Sequence, residues 1–500
     1  MPIDESIATR LTVLERGLAE REAVIASQQA EIASQQAEIA SQQAEIASLR
    51  ARLAKLEEQL GKNSSNSSKP PSSDGPSTPN KPAKRQKRRG KGRKQGGQPG
   101  HEGHHRALVP VDQVDRVVEC RSPECGGCGH ELGAEDDPTP LRHQVTEIPP
   151  VALEVTEYRL HRVACPRCTA LTRADLPVGV PEGAFGPRLS ALVATLATKY
   201  RLSKRLLKQV FSDLLGLTIS VGAISNIEHR VSEALAPAVE QARRYVQRQD
   251  AANIDETGFR EHNAKAWLWV VVAGAVTLFQ VARSRGSKVA RELLGESFGG
   301  IVGSDRWSGY TWIDSFQRQL CWAHLIRDFQ AFVDRRGHSA KLGRALLKQT
   351  KRMFKWWWRV RDGTLSRELF AEQMTDVSAE VGRLLREACD CNHSKTAGTA
   401  RHILKIEDAL WTFVYTDGVE PTNNIAERAV RKGVLWRKTS FGTQAERGSR
   451  FVERMLTVVE TCRCQGRDVL GYVTAAVQAA TEGQPAPSLL PAQDNGVGIS

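Results

Sequence analysis

The segments "ANIDETGF" at residues 252–259 and "AWLWVVVAGAVTLFQVA" at residues 266–282 mark the start of an α/β region. The first has the composition of a short strand. The second is β-branched and aromatic around Gly274, which predicts a β-hairpin. Its apolar part is shorter than the roughly 20 residues that a membrane helix needs. These segments therefore predict a sheet and not a membrane span.

Strand and helix patterns alternate after this hairpin. "SKVARELLG" predicts a helix that ends at Gly295, and "GGIVGSDRW" predicts a strand that ends at Asp305. "RQLCWAH" resembles a further strand, and residues 325–410 are helical and charged. We therefore expect an α/β core at residues 247–475 with a helical insertion at about 325–410.

The first 60 residues contain a seven-residue repeat, "ASQQAEIASQQAEIASQQAEI". A strict heptad period sustained this long predicts a left-handed coiled coil and hence a homo-oligomer. A single solvated helix is the alternative, but it would leave the apolar stripe exposed. With isoleucine at position a, the eight a residues are Leu11, Leu18, Ile25, Ile32, Ile39, Ile46, Leu53 and Leu60.

The linker at residues 61–106 is rich in Ser, Pro, Gly and basic residues, in a chain whose net charge is +13. Such a composition predicts disorder, and the same holds for the tail after Gln484. The basic cluster is either a solubilising linker or an arm that binds DNA phosphates. Its candidate DNA-binding residues are Lys84, Arg85, Lys87, Arg88 and Arg89.

The first ten residues, "MPIDESIATR", contain acidic residues and no apolar stretch, which argues against a secretory signal. Together with the basic charge, this predicts a cytoplasmic, nucleoid-associated protein with no membrane partner. Ten cysteines without an export signal favour reduced thiols or metal ligands over a disulfide scaffold.

Two Cys-x2-Cys pairs lie in the strand-like region at residues 107–180. Two such turns supply the four thiolates of a tetrahedral, structural zinc site, and they predict a zinc ribbon. Four ordinary reduced cysteines are the alternative, and Cys120, His130 and His161 are possible substitute ligands. The predicted zinc ligands are Cys125, Cys128, Cys165 and Cys168.

The region at residues 181–246 contains several amphipathic helices, with a break at Gly216 and a last helix that starts near Ser220. This break resembles a helix-turn-helix (HTH), which either binds DNA or serves only for packing. Both interpretations remain open on the sequence.

Asp255, Asp305 and Glu427 are the candidate catalytic carboxylates. Asp255 lies in the first predicted strand and Asp305 at the end of a later one, and carboxylates with substrate phosphates are the ligands that Mg²⁺ prefers. A strand-end aspartate is also a common turn residue. Glu427 also fits a capping box in which Asn424 is the N-cap. The same helix carries three candidate DNA-binding residues, Arg428, Arg431 and Lys432.

Several motifs in order resemble the bacterial insertion-sequence transposases of the group called insertion sequence sixty-six. They cover residues 59–475 and are "LGKNSSNSSKPPSSDG", "GGQPGHEGH", the paired Cys-x2-Cys ribbon, "FGPRLSALVATL", "IDETGF", "SDRWSGY", "CWAHLIRDF" and "TNNIAERAVR". The chain departs from the pattern at Thr422, where the family commonly has an aspartate.

The resemblance implies a DDE transposase with a ribonuclease H-like core, in which Asp255, Asp305 and Glu427 bind Mg²⁺ or Mn²⁺. It implies cleavage at the terminal inverted repeats of the element, strand transfer into target DNA, and small accessory proteins. Two other functions remain open: a non-catalytic DNA-binding regulator or inactive remnant, and a structure-selective nuclease.

The predicted fold class is multidomain α+β. The predicted domains are a coiled coil at 1–60, a disordered basic linker at 61–106, a zinc ribbon at 107–180, a helical HTH-like region at 181–246, a ribonuclease H-like catalytic domain at 247–475, and a tail at 476–500.

Overall fold

The computed structural model describes residues 4–67, 101–102, 106–133 and 136–491. The chain divides into two compact units, one built from residues 1–79 and 321–415, the other from residues 80–320 and 416–500. In the ranges described, no helix has both the length and the apolar composition needed to cross a membrane. The multidomain α+β prediction is confirmed, whereas the domain boundaries stay predictions.

The first unit is helical. Helix α1 (Asp4–Leu60) is continuous over 57 residues, and the heptad a residues are exposed along it. The predicted helical insertion consists of helices separated by short turns. They are α6 (Trp322–Asp334), α7 (Gly337–Arg361), α8 (Arg367–Cys389), α9 (Ser394–Leu404), a 3₁₀ turn (Asp408–Leu410) and α10 (Thr412–Tyr415).

A five-stranded mixed sheet forms the centre of the second unit, in the order β5-β4-β3-β6-β7. The first three strands in sequence are antiparallel neighbours, whereas β6 and β7 run parallel to β3. The predicted hairpin is confirmed, with its turn at Gly274 (φ 55°). The strands are β3 (Ala251–Glu261), β4 (Ala264–Ala273), β5 (Val276–Ala282), β6 (Ile301–Ser304) and β7 (Arg318–Leu320).

Helices cover this sheet. Helix α5 (Ser287–Leu294) connects β5 to β6 and ends at Gly295, as predicted, and 3₁₀ turns at Ser308–Tyr310 and Ser315–Gln317 precede β7. The chain returns from the insertion through α11 (Asn424–Ser440), which packs on β3 and β4. It ends in α12 (Glu446–Cys464) and α13 (Val469–Thr481).

Side chains of α12 pair with the backbone of the edge strand β5. The N–H groups of Thr277, Phe279 and Val281 donate to Thr461 Oγ1 (3.1 Å), Thr457 Oγ1 (2.9 Å) and Glu453 Oε2 (2.8 Å), respectively. Acceptors spaced four residues apart on one helix face thereby match N–H groups spaced two apart on a strand. An edge strand otherwise exposes unpaired N–H groups, so this contact closes the sheet on that side.

Three helices precede the sheet: α2 (Pro187–Thr198), α3 (Lys204–Leu215) and α4 (Val221–Val246). Gly216 ends α3 in the left-handed conformation (φ 62°), and its N–H donates to Ser212 O. Ser220 caps α4 by accepting from Ala223 N at 3.0 Å, which confirms the predicted start. One face of α4 is buried, including Ile227, so it packs against the core.

Two predictions about elements are wrong. In "RQLCWAH" only residues 318–320 form a strand, because α6 begins at Trp322. The tail after Gln484 is not disordered as far as residue 491, since Leu489 is fully buried and Tyr472 Oη donates to Pro487 O at 2.8 Å. Residues 492–500 lie outside the described residues.

Candidate carboxylate and zinc sites

Three elements position the candidate carboxylates Asp255, Asp305 and Glu427, which we call the carboxylate site. Asp255 lies in the central strand β3, and Asp305 immediately follows the parallel strand β6. Glu427 lies in the first turn of α11, the helix that packs on β3. The carboxyl ends of parallel strands meet at one edge of a sheet, where loops and helix starts form binding sites.

The structure brings the three carboxylates close enough to interact electrostatically. Burial raises the pKa of Asp255 well above its ordinary value, and the neighbouring charges of Glu256, Asp305 and Glu427 raise the same pKa further. Like charges gathered in a desolvated site disfavour ionisation. A divalent cation would offset this repulsion, so the donor set fits a hard metal such as Mg²⁺.

Asp305 also has a turn-forming role. Its Oδ1 accepts from Trp307 N at 2.9 Å, which is the turn contact expected of a strand-end aspartate. Its backbone oxygen accepts from Arg318 Nη2 at 2.6 Å, and burial lowers the pKa of Arg318 to about 10. The turn contact therefore occupies one carboxylate oxygen.

Glu256, next to Asp255, belongs to a buried network that the sequence patterns did not reveal. Its Oε1 accepts from Arg285 Nη2 at 2.6 Å and its Oε2 from Tyr310 Oη at 2.5 Å. The Arg285 guanidinium lies 4.3 Å from the Trp307 ring centroid, in cation–π geometry. This network fixes the strand segment that carries Asp255 against the loop that follows Asp305.

Asn423, and not Asn424, is the N-cap residue of α11. Its side chain forms no cap hydrogen bond, so the capping-box prediction is wrong and Glu427 lies one position beyond the one it requires. Asn423 is instead buried against the sheet. Its Nδ2 donates to Ile254 O at 2.7 Å, and its Oδ1 accepts from Asn253 Nδ2 at 2.9 Å. The contact joins the start of the Glu427 helix to the strand of Asp255.

The two cysteine pairs lie in turns with the same backbone pattern. Cys125 N donates to His130 O, and Cys125 O accepts from Gly129 N. Cys165 forms the corresponding bonds with Ala170 O and Thr169 N. Gly129 and Thr169 both have positive φ, at 73° and 62°. The second turn connects β1 (Arg162–Ala164) and β2 (Leu171–Arg173).

Backbone N–H groups surround the first thiol of each pair. Hydrogen bonds from the N–H groups of Gly127 and then Cys128 lower the pKa of Cys125, and those of Arg167 and then Cys168 lower the pKa of Cys165. Stabilised thiolates are the form that binds zinc. Each turn thus fits a metal-binding knuckle, although among the described residues no three of the four sulfur atoms lie within 4.8 Å of one another.

The predicted DNA-binding residues fall into two groups. Arg428, Arg431 and Lys432 are exposed on α11, on the helix that carries Glu427. The arm residues Lys84, Arg85, Lys87, Arg88 and Arg89 lie outside the described residues.

Comparison with protein-family models gives three matches. Residues 182–450, more than half of the chain, match the model described as the IS66 transposase family. The chain belongs to this family. Residues 122–169, which enclose both cysteine pairs, match the zinc-finger binding domain of transposase IS66, and residues 20–107 match a family of unknown function, DUF6444. The resemblance to insertion sequence sixty-six is confirmed, and so is the presence of a zinc-finger domain.

Two curated relatives come from Sinorhizobium fredii (strain NBRC 101917 / NGR234). "Uncharacterized protein y4qI" is 27% identical over 252 residues, which cover 45% of this chain and 46% of the relative. "Uncharacterized protein y4hP" is 23% identical over 390 residues, which cover 69% of this chain and 67% of the relative. The chain thus spans about half the length of the first relative, and neither name states an activity.

Proposed function

We propose that this IS66-family chain is a DDE-type transposase that binds the terminal inverted repeats of an insertion sequence and catalyses DNA cleavage and strand transfer. The observation that carries the proposal is the arrangement of the three carboxylates: Asp255 lies on the central strand β3, Asp305 directly follows the neighbouring parallel strand β6, and Glu427 lies in the first turn of the helix that packs on β3. The strand order gives further support. If the five strands of the sheet, β3 to β7, are numbered 1 to 5 along the chain, their spatial order is 3-2-1-4-5. The second of them, β4, is antiparallel to both of its neighbours, as expected of a ribonuclease H-like core.

Asp255, Asp305 and Glu427 would hold Mg²⁺ or Mn²⁺. When bound, such ions activate the attacking oxygen and stabilise the leaving oxygen in phosphodiester chemistry. The protein itself positions the three carboxylates. Strands β3 and β6 hold the two aspartates, and Asn423 holds the start of the helix that carries Glu427. Exposed Arg428, Arg431 and Lys432 would contact the DNA backbone next to Glu427. Because the substrate is DNA, we place the protein at the nucleoid of a bacterial cytoplasm.

Cleavage is tested with DNA fragments that carry the element's ends, Mg²⁺ or Mn²⁺, and the small companion proteins expected of the family. Asp255→Asn should abolish cleavage and strand joining while the protein still binds DNA. Asp250→Asn is the matched control, because Asp250 is exposed immediately before the same strand. Cleavage that survives Asp255→Asn would refute the carboxylate assignment, and binding without any cleavage by the wild type would favour the regulator.

We also propose that Cys125, Cys128, Cys165 and Cys168 hold one structural zinc ion. In each turn, hydrogen bonds from backbone N–H groups lower the pKa of the first thiol and so favour the thiolate that binds zinc. Binding of one ion by all four thiolates would bring the two turns together. Metal analysis should find about one zinc per chain, lost in Cys125→Ser and kept in Cys464→Ser, an exposed cysteine on α12. Loss of zinc in Cys120→Ser or His130→Ala would reassign the ligand set.

A further inference from the structure

Helix α7 of the insertion has an unusual charge composition. Its 25 residues, "GHSAKLGRALLKQTKRMFKWWWRVR", contain eight lysines and arginines and no aspartate or glutamate. The next helix, α8, is an ordinary surface helix by comparison, with five acidic and three basic residues. Its Arg383 pairs with Glu380 and Glu387 at 2.8 and 2.9 Å. A need for solubility therefore does not explain why all charged residues of α7 are basic.

The basic residues of α7 form a stripe along one face. Positions three and four apart share a helix face, and at 3.6 residues per turn the six positions of the stripe fall within about 100° of the helix circumference. All six side chains are exposed. We call this set the α7 stripe; its members are Lys341, Arg344, Lys348, Lys351, Arg352 and Lys355.

The opposite face of α7 packs inside the helical unit. Leu342, Leu346, Met353 and Trp357 are buried there. Gly343 approaches α6 so closely that an added Cβ would lie 2.7 Å from Phe329 O. This face is not available to insert into a lipid surface, which a membrane-bound basic helix requires. The charged face, with the exposed Trp358 beside it, remains for a partner.

None of the six side chains forms an ion pair or a hydrogen bond with another residue in the described ranges. In the part of the unit that the structure describes, no acidic side chain therefore pairs with these positive charges. At 1.5 Å per residue the stripe spans about 21 Å, or about six base pairs at 3.4 Å each.

The chemistry of the stripe favours nucleic acid over a protein. Lysine is depleted in protein–protein interfaces, whose centres are apolar and aromatic, whereas four of the six residues here are lysines. A row of flexible cations matches a row of phosphates and gains free energy from counterion release. We propose that the α7 stripe binds the phosphate backbone of duplex DNA, as a contact of the insertion separate from the basic arm and from α11. This inference rests on the proposed function, because it names one more surface for the same DNA substrate.

The test measures the affinity for a 30-base-pair duplex at several salt concentrations by fluorescence anisotropy. The variant replaces Lys341, Lys348, Lys351 and Lys355 with glutamine, which has a similar helix propensity. We expect the slope of log affinity against log salt to become less steep by about 3 to 4, and the affinity near 0.1 M salt to fall on the order of tenfold or more. Circular dichroism checks that the helix content is kept.

The matched control replaces the same four lysines with arginine, which keeps the charges and should keep the affinity and the slope. A second control replaces Arg16 and Lys55 of α1 with glutamine, because these exposed residues lie at the outer f and c positions of the heptads, and it gives the change in slope per charge removed from another helix. An unchanged slope in the α7 glutamine variant, with wild-type DNA binding intact, would refute the stripe and leave the proposed function standing. A wild type that binds no DNA would overturn both, and tighter binding of an RNA duplex through the same lysines would overturn DNA as the partner.

Discussion

Asn423 connects two elements of the carboxylate site, since it is 1% exposed and bonds to Ile254 O and Asn253 Nδ2. Asn423→Ala should leave the buried Ile254 carbonyl without this donor, at a cost of about 1–3 kcal/mol in the free energy of unfolding. Cleavage should fall as well, because the start of the Glu427 helix loses its anchor. Urea denaturation and the cleavage assay measure the two effects.

The neighbouring residue provides the control for Asn423. Asn424 is half-buried in the first turn of α11, so Asn424→Ala should change the unfolding free energy by no more than about 0.5 kcal/mol. Equal effects of the two substitutions would show that the buried contact does not determine stability here.

Glu453 makes stability depend on pH. Burial raises its pKa, while Arg450 and the Val281 N–H oppose that rise. A carboxyl group whose pKa is higher in the folded than in the unfolded state takes up a proton on folding, so stability falls as pH rises from about 4.5 through the folded pKa. Glu453→Gln removes this dependence. The unfolding free energy of the variant minus that of the wild type should therefore increase as pH rises through that window.

The comparison for Glu453 is Glu446→Gln on the same helix, where the side chain is 79% exposed. It removes the same charge from an exposed position, so the comparison of the two variants isolates the effect of burial at Glu453. Thermal midpoints of wild type and both variants across that pH range measure the effect. A flat difference curve for Glu453→Gln would mean that its carboxyl group does not take up a proton on folding.

The candidate residues of the carboxylate site could be named from sequence motifs, but their supporting residues could not. Asp255 and Asp305 lie in the recognisable "IDETGF" and "SDRWSGY" segments. Tyr310 lies in the second of these motifs, yet its bond to Glu256 spans 54 residues of chain and has no periodicity. The role of Asn423 likewise depends on how α11 meets β3, which is a property of tertiary packing.

Among the elements, α6 and α7 depend on a glycine for their close approach. A Cβ at Gly343 would lie 2.7 Å from both Phe329 O and Val333 N, which are backbone atoms of α6. Gly343→Ala should therefore push the helices apart and lower the free energy of unfolding by about 1–3 kcal/mol. This loss is expected even though alanine is the better helix former by about 1 kcal/mol.

A substitution at a second helical glycine distinguishes the effect of packing on stability from the effect of helix propensity. Gly398 in α9 has no atom within 4 Å of an added Cβ, so Gly398→Ala should stabilise the same unit by up to about 1 kcal/mol. Chemical denaturation of both variants checks the opposite signs. A stabilising Gly343→Ala would contradict the close helix crossing.

Elements with a strong local pattern were predictable, and elements defined by distant contacts were not. The hairpin turn at Gly274, the helix end at Gly295 and the helix start at Ser220 follow from local residue preferences. Strand β7 is only three residues long, because the chain turns into α6 directly after it. The pairing of α12 side chains with β5 required the fold itself, since it joins residues more than 170 positions apart.

At the scale of the whole molecule, the prediction of self-association depends on α1. Its heptad a residues are half or more exposed at most positions, for example 53% at both Ile32 and Ile39. A second copy would cover this apolar stripe, and burying one isoleucine contributes roughly 1.5–3 kcal/mol. The strict period makes the stripe straight enough to pair along the whole helix, which a scattered set of apolar residues would not do.

Ile32→Lys combined with Ile39→Lys should therefore convert the oligomer to a monomer of 55.1 kDa. Charged residues at two adjacent a layers are desolvated in a coiled coil without partners, so the helices separate. Ala37→Lys combined with Ala44→Lys is the matched control, because these residues lie at the outer f position of the same heptads. Light scattering after size exclusion should give the oligomer mass for wild type and control and the monomer mass for the a-position variant. An oligomer that survives the a-position substitutions would place the self-association surface outside α1.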